Sequence, residues 1–253
     1  MPSHLSSIGF PVETEDDFLR LQTLAADNGQ TVAADSGLYV RWQAGAGAEV
    51  WVLVDAQNQI VGLNPHFAAD SRCRARVEGR LRYANESGLD GAFYAWALGE
   101  DSEGDGLYPF VFDAPDFALG SAVVLPRVYD VQLAAFAEEL RFYADDAAFL
   151  ADQRGEGRVA AEAFLPSGLF STGEGESQLP RPYAYIAGHV LSAELRHNPA
   201  GEPFLWLRLR TYGGEIEAVA DVVLAGATPA VGAVAAGTFW LSGRLAPNDE
   251  GVQ

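Results

Sequence analysis

Apolar and polar residues alternate with a period of two over most of this chain, and shift to a helical period in two places. The first helical stretch carries Phe18, Leu21 and Ala25 on one face with Leu24 beside them. Thr14 offers an N-cap, Asp17 an acidic capping box, and Asn28-Gly29 a stop, which predicts a helix from Glu15 to about Asp27. Residues 6–12 before it read as a short strand. After it, 31–42, 49–55 and 59–63 read as strands, and the unbroken apolar run Val50–Val54 implies burial on both faces. Residues 71–83 alternate, with Cys73, Ala75, Val77, Gly79 and Leu81 facing one way. The other face takes Arg72, Arg74, Arg76, Arg80 and Arg82, which predicts a half-exposed strand with five arginines outward. Residues 92–98 and 108–113 are again extended. Leu133, Phe136, Ala137, Leu140, Tyr143, Ala144 and Ala147 then recur at helical spacing, predicting a long second helix over 131–153.

The clearest unit is the last one. Strands are expected at 183–197, 202–212, 215–223 and 233–245, joined by turns at Asn198-Pro199-Ala200-Gly201 and Gly213-Gly214. Residues 173–182, poor in apolar side chains and rich in Gly, Glu and Pro, read as a linker. The predicted fold class is therefore α+β, mostly antiparallel β with two main helices. Its domains are expected at 1–175 and, for a β-barrel-like unit, 181–247. A faint echo links the run from Val77 to Asn85 with that from Val190 to Asn198, each followed by a turn and an aromatic pair.

Charge removes whole classes of chemistry. The net charge is −19, and all 16 basic residues are arginine. Without lysine there is no Walker-type phosphate loop, no Schiff-base lysine and no Ser-Lys dyad. The acidic field disfavours bulk nucleic acid as a partner. Cys73 is the one cysteine, so no intrachain disulfide and no cysteine zinc cluster can form. The N-terminus lacks the pattern of a signal peptide, and no stretch has the apolar length of a membrane span. These absences suggest a cytoplasmic protein, and no cofactor is expected.

The surface with a mechanism lies in the last unit. Alternation from Phe204 sends Leu205, Leu207 and Leu209 inward, and Trp206, Arg208, Arg210 and Tyr212 outward. In the final strand Trp240 and Arg244 face the same way. Aromatic rings interleaved with guanidinium groups suit stacking and anion contacts. The strand-and-glycine layout of this last quarter resembles an oligonucleotide/oligosaccharide-binding (OB) barrel, which implies that its second and third strands form a binding face. A second site is centred on Glu49 and on His66 in Gly62-Leu63-Asn64-Pro65-His66-Phe67, a His/carboxylate pair with metal-binding potential. The strand-helix-strand order of residues 6–83 is similar to one module of the vicinal-oxygen-chelate metalloenzymes, which would make this a metal-dependent small-molecule enzyme. Asp101-Ser102-Glu103-Gly104-Asp105-Gly106 begins like a calcium loop, but Phe112 stands where the bidentate carboxylate belongs. Pro166-Ser167-Gly168 lacks the first glycine of a nucleophile elbow, and Gly45-Ala46-Gly47 precedes a strand rather than a helix. The whole chain resembles a bacterial family of unassigned function, which carries no functional residues across. The leading expectation is a non-catalytic protein that binds a small molecule or a protein partner through the Trp206/Arg208 face. A metal enzyme at His66 and a structural homo-oligomer are the alternatives.

Overall fold

The computed structural model describes residues 4–82, 87–99, 106–154, 157–167, 169, 180–198 and 201–246. A 3₁₀ turn over Ser6–Ile8 occupies the first expected strand and ends at Gly9 in the left-handed region, φ 84°. Helix α1 (Glu15–Asn28) starts as expected: the Thr14 side chain accepts from Asp17 N–H, and Asp17 Oδ2 accepts from Thr14 N–H. Its Leu21 and Ala25 are buried. They pack on a four-stranded antiparallel sheet of β1 (Gln30–Ala34), β2 (Gly37–Gly45), β3 (Ala48–Asp55) and β4 (Ile60–Phe67), in that order. A turn at Asp35-Ser36 splits the single strand expected over 31–42 into β1 and β2. β3 is buried on both sides: Val50 and Val52 join the core containing α1, and Trp51 and Leu53 join one with Tyr39 and Leu89. β4 runs on through Pro65 and His66, a proline that an edge strand tolerates because its missing N–H costs no ladder bond.

The remaining strands form a nine-stranded sheet that closes on itself twice. β5 (Cys73–Leu81), β6 (Ala92–Ala97) and β7 (Tyr108–Asp113) make one antiparallel meander. β10 (Tyr183–His197), β11 (Pro203–Thr211) and β12 (Gly214–Asp221) make another. Between them lie two long strands paired antiparallel, β8 (Arg127–Tyr143) and β13 (Val234–Ala246). The first meander closes through β5–β8 and a parallel bridge from Asp113 of β7 to Ser242 of β13. The second closes through β10–β13 and a parallel pairing of β12 with β8. β9 (Ala163–Ser167) adds an edge beside β10. Two short helices, α2 (Asp146–Asp152) and α3 (Val222–Ala225), complete the order.

The pairing scheme is two-fold symmetric. Exchanging the meanders while swapping β8 with β13 sends the bridge Asp113–Ser242 onto Val219–Phe136, and Ala134–Ser242 onto Trp240–Phe136. The pair Ala135–Leu241 then stays in place. β5 carries a bulge between Val77 and Gly79, and β10 one between Val190 and Ser192. These are the equivalent strands of the two rings, and Val77 and Val190 are the residues at which the sequence echo begins. The aromatic half of that echo falls out of register, since Phe93 lies opposite Arg80 but Phe204 opposite Arg196. Tyr129, Val131, Leu133, Ala135 and Ala137 of β8 enter one core with Phe110, Phe112, Leu205, Leu207 and Leu209. From the other side of β8 and β13, Ala134, Phe136 and Trp240 pack against the N-terminal layer.

The long helix expected over 131–153 is therefore β8 followed by α2. Both faces of β8 are buried, so odd and even positions are apolar together, and that mixture imitates helical spacing. Only Asp146–Asp152 is helical, N-capped by Asp145, whose Oδ1 accepts from Ala148 N–H at 2.8 Å. The β5 bulge also alters the arginine face. It inserts one residue and turns Arg80 over the rings of Phe93 and Phe117, at 5.6 and 5.9 Å, instead of outward with Arg74. Strands on either side of residues 175–181 share one sheet. Residues 101–105 of the calcium-like loop, and most of the expected linker, lie outside the described residues. No helix among the described residues is long and apolar enough to cross a membrane.

Candidate functional site

The residues expected on one binding face divide into two groups. Trp206 and Trp240 are 7% and 8% exposed, because the N-terminal layer covers them. The Trp206 indole N–H donates to Glu217 Oε2 at 2.8 Å, and the Arg196 guanidinium lies 3.7 Å from its ring. Trp240 donates to Asp113 Oδ2 at 2.7 Å and stacks on His4 with centroids 4.3 Å apart. Arg244 pairs with Asp116 at 2.8 Å and lies 4.9 Å from the Trp51 ring. These three are held inside the seam between the layers.

The second expected site, Glu49 and His66, lies in the same seam. The two are cross-strand partners on β3 and β4, each turned to other groups. Glu49 accepts from Arg41 and from the Trp51 indole N–H at 3.0 Å. Burial raises its carboxyl, but the hydrogen bond from Arg41, with the charges of Arg41 and Arg244, brings it below the usual carboxylate range. His66 is fully buried, with Nδ1 2.9 Å from Ser242 Oγ and Nε2 3.4 Å from Gln132 Oε1. Because Gln132 Oε1 can only accept, Nε2 carries the proton and Ser242 donates to Nδ1. Burial pushes the imidazole down to about 4, against the opposing pull of Glu49. Both ring nitrogens are thus engaged, and no group of three or more His, Cys, Asp or Glu with metal-binding geometry occurs among the described residues. The pair is a polar tie between layers.

Arg208, Arg210 and Tyr212 remain outward. Arg208 Nε donates to Glu215 Oε2 at 2.6 Å, Arg210 Nε donates to Glu162 Oε1 at 2.7 Å, and Tyr212 is 50% exposed. Arg208 opens into a cleft of about 590 Å³ between the start of β5 and the β11–β12 hairpin. Its floor is apolar: Leu98, Leu133, Phe164 and Ile216, with Tyr108 stacked on Phe164 at 4.5 Å. Arg72, Arg74 and Arg208 stand around that floor, with Asp70 and Glu215 beside them. A cleft of this size and mixture suits a small molecule.

The walls are fixed by a buried carboxylate. Glu217, 2% exposed, accepts from the backbone N–H groups of Asp70 and Ser71 at 2.7 and 2.9 Å and from the Trp206 indole. Arg72 adds to this by donating to the Ala69 carbonyl at 2.6 Å. Trp206 therefore shapes the cleft from behind through Glu217. At the opposite wall Gly213 has φ 91°, and a Cβ there would meet Tyr108 Oη at 2.9 Å, so only glycine lets the hairpin lie on that ring. Cys73 keeps some exposed surface, but burial of its sulfur pushes the thiol up to about 12, which leaves it a wall and not a nucleophile. The sequence marked Arg74, Arg208 and Gly213-Gly214 individually. It did not mark Tyr108 or Phe164, which reach the cleft through strand pairings remote in sequence. No family model matches this chain, and no curated protein or solved structure matches it either.

Proposed function

We propose that this chain is a binding protein built on two OB-like barrels, with its ligand seated in the cleft bordered by Arg72, Arg74 and Arg208. The observation that carries the reading is that cleft, which joins an apolar floor to polar groups held in place by Glu217. Support for the OB-like description comes from the pairing scheme. Each ring has five strands, begins as a meander, closes through one parallel step and carries a helical turn after its third strand, Phe117–Ala122 in one and α3 in the other. Arg210 and Tyr212 stand beside the cleft rather than in its lining, Arg210 paired with Glu162 and the Tyr212 ring 6.0 Å from that of Tyr108. The partner we assign is a small molecule, bulk nucleic acid being opposed by the −19 charge. A cytoplasmic setting accords with a single cysteine held as a thiol.

The test is a melting-temperature screen of the full chain against carboxylates, phosphates, sugars and nucleosides. It is repeated on a variant carrying Arg74→Gln and Arg208→Gln, both in the cleft lining. The expected result is a compound that raises the melting temperature of the parent and loses that effect in the variant. A change that survives in the variant means binding elsewhere, and no effect from any compound refutes the proposal.

A further inference from the structure

Two polar groups at the cleft have donors without acceptors. Arg74 is exposed, its neighbours Cys73 and Ala75 are held by β8, and its guanidinium makes no hydrogen bond or ion pair among the described residues. The Tyr108 hydroxyl likewise has no hydrogen-bond partner among the described residues, although the ring is packed against Phe164 and the Gly213 turn. Burial raises that phenol, so it stays protonated and has its O–H to donate to an acceptor from outside. Of the other arginines, Arg208 is ion-paired with Glu215, and Arg72 is tied through one terminal nitrogen to the backbone carbonyls of Ala69, Asp70 and Ser71. Among the described residues the cleft thus offers in Arg74 a guanidinium with no protein acceptor, and in Tyr108 a hydroxyl with none, beside an apolar floor of Leu98, Leu133, Phe164 and Ile216.

We infer that the cleft selects an anionic amphiphile, an oxyanion head received by Arg74 and Tyr108 with an apolar body laid on the floor between them. This rests on the reading of the cleft as the binding site and names the ligand class for it. A guanidinium presents paired N–H donors to a carboxylate or phosphate oxygen pair, and a charged acceptor strengthens the phenol's bond as well. An apolar body removes floor area from water, which a bare anion cannot do.

Isothermal titration of the full chain with decanoate, decanol and inorganic phosphate tests this. Decanoate should bind at least tenfold more tightly than decanol, which lacks the charge, or phosphate, which lacks the body. Arg74→Gln, at an exposed position where the melting temperature should hold, should weaken decanoate about tenfold and leave decanol as it was. Tyr108→Phe should weaken decanoate several-fold. If decanol binds as well as decanoate and Arg74→Gln has no effect, the anionic class is wrong while the cleft stands as a binding site. Phosphate binding as tightly as decanoate overturns the amphiphile in the same way. If no probe binds, and the melting-temperature screen is also silent, both readings fall.

Discussion

His66 gives the sharpest test of the seam, because its burial makes a specific demand on acid stability. In the folded chain its imidazole is pushed down to about 4, whereas in the unfolded chain it titrates near the ordinary 6.5. Above pH 6.5 it is neutral in both states and costs nothing. As pH falls below 6.5 the unfolded chain takes up a proton that the folded chain refuses, so stability is lost down to about pH 4 and then levels off. Each pH unit separating the folded from the unfolded value is worth about 1.4 kcal/mol, so the loss is roughly 2 kcal/mol by pH 5 and roughly 3 by pH 4. Urea unfolding at pH 7.5, 6.5, 5.5 and 4.5 measures it, with His66→Gln as the comparison. The variant loses the bonds to Ser242 and Gln132, so it starts about 1–3 kcal/mol lower at pH 7.5. It should then fall less steeply, and the two curves should converge on acidification. Taking the difference between the curves cancels every other titrating group to first order. Glu49 is the coupled exception, with its contribution lost at lower pH. Parallel curves between pH 7.5 and 5 would falsify the account of His66 as a neutral buried tie.

Other expectations concern the seam and the cleft. Trp206→Ala removes an aromatic ring from the core beneath the N-terminal layer and should cost about 3–5 kcal/mol in urea unfolding; an unchanged midpoint would mean the ring is solvated. Glu217→Gln keeps one oxygen for the Asp70 and Ser71 N–H groups but sets an amide N–H₂ against the Trp206 indole donor, which should cost about 1–3 kcal/mol and speed amide exchange at Asp70 and Ser71 while leaving the β10 amides protected. His189 runs opposite to His66. The hydrogen bond to Asp146, followed by that to Glu162, raises its folded value, so its contribution is full below pH 6.5 and is lost as pH rises through that value. Proton NMR should show it titrating above 6.5 in the parent and returning towards 6.5 in Asp146→Asn.

What could be read along the chain depended on whether its cause was local. α1 was legible because capping at Thr14 and the Leu21–Ala25 face lie within one segment. β11, β12 and β13 were legible because each alternates between a core side and another face, with Gly213-Gly214 between the first two. β8 was not, since apolar residues on both of its faces remove the alternation that distinguishes a strand from a helix. The same loss of local cause governs the site. Trp206 reads as outward from β11, and it does leave the barrel interior, but into the N-terminal layer rather than water. Arg80 reads as outward until a bulge one residue long reverses it. Ring closure depends on Asp113 meeting Ser242 and on Ala134 meeting Glu217, pairings that no short segment announces.

The shared pair β8 and β13 has a consequence for how the chain reaches this state. Each strand walls both rings, so neither ring can close until the last strand has been made. β8 can dock on β5 while the chain is still growing, but Ala134 to Tyr143 must wait for β12 and β13. During that interval a long, apolar, Ala- and Phe-rich edge stands open, the kind of edge that pairs with other chains. Folding should be slow, as non-local pairing dictates, and should finish in one cooperative step when β13 enters. Truncation before Val234 should therefore leave an aggregating chain and not one intact barrel.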